Sequence, residues 1–165
     1  MRMRAFLADG VQTVAGKLYV LGAGWNRLAT RRFPARHDRV GIGVLIVLDE
    51  GEAGQHWLTL RLLDADGAPT RLATDPQGEP RKAIRLSFTA EDATDGLDET
   101  IVPLALNLDG LVFSEPGIYA FELRIDDDEA ERLPFKVDLV AEPTPDPGGT
   151  SPPAAARTAG EHGYL

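Results

Sequence analysis

The chain contains no cysteine. This absence excludes disulfide bonds, thiolate zinc sites and a cysteine nucleophile. Only three serines and three histidines are present. None of the serines stands in a nucleophile-elbow pattern, and the histidines show no metal-ligand spacing. We therefore assign no catalytic residue, no metal ligand and no cofactor, and we expect a protein that is not an enzyme.

Long hydrophobic runs are also missing. The longest apolar stretch is Val40–Leu48, whereas a helix needs about 20 apolar residues to cross a bilayer. The first residues hold two arginines and no apolar stretch of the ~7–15 residues found in a signal peptide. We expect a cytoplasmic protein with no membrane partner.

Basic charge is scarce overall, and it is unevenly distributed. The net charge of the chain is −9. Residues 1–48 carry eight basic and two acidic side chains, whereas residues 49–140 carry eight basic and 21 acidic ones. An acidic surface argues against general nucleic-acid binding. The basic first part still allows a local site for an anion.

Strand patterns dominate what is present. Apolar residues alternate with polar or small ones in five segments: 56–63, 84–88, 102–108, 119–125 and 133–139. This period of two is typical of a half-buried strand. The run Val40–Leu48 does not alternate, which indicates a strand buried on both faces. Turn pairs such as Asp66-Gly67, Asp109-Gly110 and Pro116-Gly117 separate the segments.

These patterns predict an all-β domain over residues 1–140. We expect an immunoglobulin-like or related antiparallel β-sandwich of seven to nine strands. From residue 141 to 165 the composition changes to proline, alanine and glycine. Such a segment has too little apolar surface to offset its ordering entropy, so we expect a disordered tail.

One local motif supports the sandwich. The segment Glu115-Pro-Gly-Ile-Tyr119-Ala-Phe121 resembles the tyrosine corner of immunoglobulin-like domains. In that motif the tyrosine hydroxyl bonds to nearby backbone, and the residue two positions later enters the core. The resemblance implies a structural role for Tyr119. Phe121 stands where an antibody domain has cysteine.

Four segments together are similar to an uncharacterised bacterial domain family. They are Phe6–Gly10, Gly16–Trp25, Pro103–Phe113 and Leu133–Val137. The resemblance covers about residues 1–140. It implies one β domain and no known activity.

Two further segments suggest ligand sites but have simpler explanations. Gly22-Ala-Gly24 resembles part of a dinucleotide fingerprint, but Arg27 replaces the third glycine and no helix pattern follows. We expect a glycine-rich bulge beside Trp25 instead. The run Asp126–Glu129 with Glu131 could contribute to a calcium shell, which Asp64 and Asp66 would join if they lay at the same end of the sandwich. We favour a solvated hairpin tip without metal.

Five arginines crowd one short segment. We take them as the candidate partner surface: Arg27, Arg31, Arg32, Arg36 and Arg39. Guanidinium groups bind phosphate and carboxylate bidentately. The alternative is a solvated loop whose charges pair with the acidic part of the chain.

The function itself is not readable from these patterns. We expect a non-catalytic protein-interaction or scaffolding module that binds another protein or associates with itself. One alternative is a phosphate-, nucleotide- or RNA-contacting module that uses the arginine segment. Another is an enzyme with an unrecognised carboxylate site.

Overall fold

Twelve β-strands build the part of the chain that the computed structural model describes, which is residues 1–74, 79–91 and 99–140. No helix in these ranges is long and apolar enough to cross a membrane. The predicted disordered tail, residues 141–165, lies outside the described residues. The strands are β1 (Arg2–Ala8), β2 (Gly10–Val14), β3 (Lys17–Leu21), β4 (Arg27–Thr30), β5 (Ala35–Leu48), β6 (Gly54–Leu63), β7 (Ala73–Thr74), β8 (Pro80–Arg81), β9 (Ala83–Ala90), β10 (Thr100–Phe113), β11 (Gly117–Ile125) and β12 (Glu129–Leu139).

Two sheets enclose the core. The first has the order β1-β5-β10, and the second has the order β4-β12-β11-β6-β9. All neighbours pair antiparallel except β4 and β12, which are parallel. Two small sheets, β2-β3 and β7-β8, complete the fold. The predicted all-β antiparallel sandwich is confirmed, with more strands than the seven to nine expected.

The run on β5 is buried on both faces, as its lack of alternation predicts. Val40, Ile42 and Val44 point into the core and are fully buried. Gly41 and Gly43 face outward beneath the β2-β3 hairpin. A Cβ at Gly41 would lie 2.9 Å from the Cα of Gly10, so only glycine lets the hairpin approach this closely.

The pair Asp109-Gly110 is not a turn between strands, contrary to the prediction. It lies inside β10, where Gly110 has a φ of +68°. The buried positions on β10 are Leu106 and Leu108 before this point, and Leu111 and Phe113 after it. The buried face of β10 therefore changes at Gly110, while the pairing register with β5 is the same on both sides of this residue.

The tyrosine corner has the geometry expected from its sequence. The Tyr119 hydroxyl donates to the carbonyl oxygen of Glu115 at 2.9 Å, and burial raises the pKa of Tyr119. Its ring contacts Phe113 edge-to-face at 5.0 Å. Phe121 is fully buried and stacks on Phe135 at 5.2 Å. These rings join the two sheets where β10 turns into β11.

Candidate functional site

The five arginines of the candidate partner surface are divided between two strands and a turn. Arg27 lies on β4, and its Nε donates to the Asp138 carboxylate on β12. Arg39 lies on β5 and makes a bidentate pair with Asp109, at 2.7 and 3.2 Å. Arg39 lowers the pKa of Asp109 through this pair. Two of the five charges are therefore neutralised by the acidic part of the same chain.

The other three arginines are exposed and have no ion pair within the described ranges. Arg31 and Arg32 lie between β4 and β5, and Arg36 lies on β5. Thr30 shapes the turn, since its hydroxyl bonds the backbone of Arg32 at 2.9 Å. These three guanidinium groups are therefore without an ion pair in the part of the chain that the structure describes.

The acidic hairpin tip is a three-residue connection between β11 and β12. Asp126 and Asp127 have φ values of +49° and +68°. The Asp126 carboxylate contacts Nδ1 of His56 at 2.7 Å and accepts the Trp57 N–H at 2.9 Å. Its oxygens therefore hold β6 to the tip. The side chain of Glu129 lies outside the described residues.

His56 has an acceptor at each ring nitrogen. The Asp126 carboxylate faces Nδ1, and the Glu52 carbonyl oxygen lies 2.9 Å from Nε2. Both bonds form at once only when the ring carries two protons, so the arrangement favours imidazolium. The bond to Asp126 raises the pKa of His56. Burial opposes ionisation of Asp126, but His56 and the Trp57 N–H lower the pKa of its carboxyl overall.

A cavity of about 420 Å³ lies beside this cluster, lined by Met1, Glu52, Ile125, Asp126 and Asp128. A general base would need an unoccupied ring nitrogen, and both nitrogens of His56 are already bonded. The described lining holds no serine, threonine or lysine to act as a nucleophile. The contacts of the cluster join β6 to the β11–β12 tip.

The calcium alternative could include Asp64 and Asp66 only if they lay near the tip, and they do not. Asp64 follows β6 seven residues after Trp57, which is about 23 Å along an extended strand. Its carboxylate accepts the N–H groups of Asp66 and Ala68 at 3.1 and 2.9 Å. In the described ranges no group of three or more His, Asp or Glu side chains is placed to hold a metal ion.

The Gly22-Ala-Gly24 segment is a loop between β3 and β4 and opens no helix. Gly22 and Gly24 have φ values of +63° and +92°. A Cβ at Gly22 would overlap the Asp9 carboxylate. The loop brings Trp25 edge-to-face against Phe135 at 6.2 Å. This is the packing role expected for the glycines, with no dinucleotide fold around them.

The β2-β3 hairpin carries a feature that strand patterns did not predict. It exposes four large apolar side chains: Tyr19 by 55%, Leu21 by 72%, Val14 by 46% and Val20 by 40%. Residues 10–24 contain one charged side chain, Lys17, in a chain of net charge −9. The hairpin is therefore a weakly charged apolar surface on an acidic protein.

Asn107 on β10 holds this hairpin against the first sheet. Its Nδ2 donates to the Val11 carbonyl oxygen at 2.8 Å, and its Oδ1 accepts the Val11 N–H at 3.1 Å. Val11 is 6% exposed. One side-chain amide thus satisfies both backbone groups of Val11 on the side of β2 away from β3.

The Asn107 bonds also show in which direction the N–H and C=O groups of β3 point. Val11 pairs with Val20, and the Val11 N–H and C=O are turned toward Asn107 instead of β3. Val11 and Val20 are then a non-hydrogen-bonded pair, so the Val20 N–H and C=O point away from β2. Leu18, two residues earlier, has the same direction. No other described strand pairs with β3 on that side.

Sequence reasoning missed the hairpin because its strands do not alternate. Val14 and Lys17 flank a two-residue loop, Ala15-Gly16, with φ values of +48° and +70°. This is the primed turn that tight hairpins prefer, and the β-prone run after Gly16 was the available signal. The His56–Asp126 pair is separated by 70 residues, and no spacing rule connects them.

Comparison with known proteins places the chain in a family. The model of a family of unknown function, DUF6941, matches residues 4–138. The chain belongs to DUF6941. This confirms the predicted uncharacterised domain family and brings no activity with it. No curated protein matches the chain.

Among solved structures, the chain is similar to a glycosyl hydrolase family 2 member from Bacteroides cellulosilyticus DSM 14838. The identity is 15% and the TM-score is 0.35. The match covers 81% of this chain, and the chain spans 26% of that protein. At this level the likeness says nothing about activity or substrate.

Proposed function

We propose that this DUF6941 protein is a non-catalytic interaction module that binds another polypeptide by strand addition to the free edge of β3. The observation that carries the proposal is the hairpin edge itself. It combines outward backbone groups at Leu18 and Val20 with the exposed side chains of Tyr19 and Leu21. Strand addition uses this combination, with main-chain bonds for affinity and side chains for specificity.

The other open edges of the sandwich differ from β3. Proteins protect exposed edges with charges, proline or short strands, since unprotected edges pair with other chains. Here β1 carries Arg2 and Arg4, β9 carries Arg85, β10 carries Pro103, and β4 has four residues. β3 has only Lys17, at its start. Among these edges, β3 is the one best suited to a partner strand.

The surface next to the edge favours a polypeptide ligand. A cavity of about 310 Å³ is lined by Gly10, Val11, Gln12, Tyr19, Val20 and Leu21. Its lining has no formal charge, so it offers little to a phosphate or a metal ion. Apolar side chains of an extended segment would fill it. Exposed apolar patches of this kind are typical of protein-binding sites.

Photo-crosslinking in the cells that make the protein tests the proposal. Tyr19 is replaced with p-benzoylphenylalanine, and the cells are irradiated. The control carries the same residue at Ile118, which is 59% exposed on β11 and pairs with Lys136 of β12. We expect polypeptide adducts from position 19 and few from position 118. Equal adducts at both positions, or none at position 19, would contradict the proposal.

A further inference from the structure

The backbone groups on the free edge of β3 are arranged symmetrically about one residue. Leu18 and Val20 point their N–H and C=O groups outward, and Tyr19 lies between them. A two-fold axis at Tyr19 would place Leu18 of one copy opposite Val20 of another. Each such pair exchanges two hydrogen bonds in an antiparallel ladder. The edge is therefore complementary to itself.

We infer that the polypeptide bound at this edge is a second copy of the chain, joined β3 to β3 in an antiparallel dimer centred on Tyr19. This inference rests on the proposed function and specifies its partner. A two-fold interface uses the same patch on both subunits, and the Leu18–Val20 arrangement meets that condition. The hairpins would form a continuous four-stranded sheet.

Charge also favours this contact. Two chains of net charge −9 repel each other over most of their surfaces. Residues 10–24 carry only the charge of Lys17, so contact there keeps the acidic surfaces apart. In the centred register Lys17 lies opposite Leu21 of the second copy, and the two lysines do not face each other. The dimer thus forms where repulsion between copies is weakest.

The inferred contact also covers the exposed side chains. Tyr19 of each copy would meet its equivalent in a non-hydrogen-bonded pair, where Cα atoms are about 4.5 Å apart and side chains approach closely. Aromatic cross-strand pairs stabilise sheets. An isolated two-stranded hairpin is marginal in water, whereas four strands form a more stable sheet. Dimerisation would therefore stabilise the hairpin as well as bury it.

Opposite charges introduced at the two-fold axis test the inference. We would compare sedimentation equilibrium of the purified full chain with that of Tyr19→Lys and Tyr19→Glu variants. The unmodified chain should sediment with twice the mass of one chain at micromolar concentration. Each variant alone should be monomeric, because like charges then face each other across the axis. An equimolar mixture of the two variants should restore the dimer.

Two controls separate edge pairing from general effects. Ile118→Lys and Ile118→Glu introduce the same charges at a similarly exposed position and should leave the dimer intact. Val20→Pro removes the outward N–H, which β2 does not use, and should abolish the dimer with the β-sheet circular dichroism retained.

The outcomes distinguish this inference from the proposed function. A monomeric unmodified chain, or variants that fail to recombine, would overturn the dimer. If crosslinks from position 19 then reach a different protein, strand addition stands with another partner. If crosslinks from that position are absent as well, both proposals fail.

Discussion

Replacing His56 with glutamine should change how the stability of this domain depends on pH. The imidazolium bonds the Asp126 carboxylate and the Glu52 carbonyl oxygen, and it stacks on Phe88 at 5.4 Å. The His56 side chain is 14% exposed and the Asp126 side chain 41%, so water screens the pair and its contribution lies at the lower end of the range for such bonds. Hydrogen bonds to charged groups contribute about 1.5–3 kcal/mol each. We expect His56→Gln to lower the free energy of unfolding by about 2 kcal/mol near pH 6.

The direction of the pH effect follows from the two pKa shifts. The pKa of His56 is raised in the folded state, so its contribution is fully present below about pH 6.5 and is lost as the pH rises through the raised value. The pKa of Asp126 is lowered, so its contribution is present above about pH 3.9 and is lost as the pH falls through the lowered value. The free energy of unfolding of the unmodified protein should therefore exceed that of His56→Gln by the largest amount between about pH 4 and 6.5. The difference should shrink in alkaline solution.

Urea unfolding of both proteins across this pH range measures the difference directly. Loss of one proton changes the free energy of unfolding by at most about 1.4 kcal/mol per pH unit. His37→Gln is the matched control, because His37 packs edge-to-face on Trp25 and has no carboxylate partner in the described ranges. Stability curves of His56→Gln and the unmodified protein that run parallel at every pH would refute the assigned role of the His56–Asp126 pair.

Three other substitutions test the core, the hairpin and the arginine segment. Phe121→Ala should cost about 3–5 kcal/mol, since Phe121 is fully buried; unchanged melting would show that the ring is not a core residue. Asn107→Ala removes two bonds to Val11 and should cost about 1–3 kcal/mol. Hydrogen exchange at Val11 should accelerate in that variant, and unchanged protection would contradict the role of the amide. Arg31, Arg32 and Arg36 have no ion pair among the described residues, so replacing them with glutamine should leave the melting temperature unchanged. A fall of several degrees would show that these arginines are structural.

Several core strands were predictable because buried apolar side chains alternate with less buried ones along the sequence. Leu58, Leu60 and Leu62 alternate with less buried residues in the sequence, and all three are fully buried on β6. The tyrosine corner was predictable for a similar reason, since Tyr119 bonds a residue only four positions earlier. Both patterns depend on residues only a few positions apart, and the sequence shows such residues directly.

The arginine segment illustrates the limit of such patterns. Its five charges are adjacent in sequence, but the structure pairs Arg27 with Asp138 and Arg39 with Asp109, more than 60 residues away. Which charges remain free depends on the strand register, and strand register is a property of the assembled sheets. Sequence proximity therefore does not show which of the five charges have a partner within the chain.

The sequence by itself determined the all-β class, the core strands with a period of two, and the acidic character of the surface, because each depends on local residue order or on composition. The tertiary structure alone decided the rest. It brought His56 to Asp126, turned the Val11 backbone toward Asn107, and left the edge of β3 open. These features arise from contacts between distant segments, whose geometry depends on how the sheets pack and on where Gly41 and Gly43 let the hairpin approach.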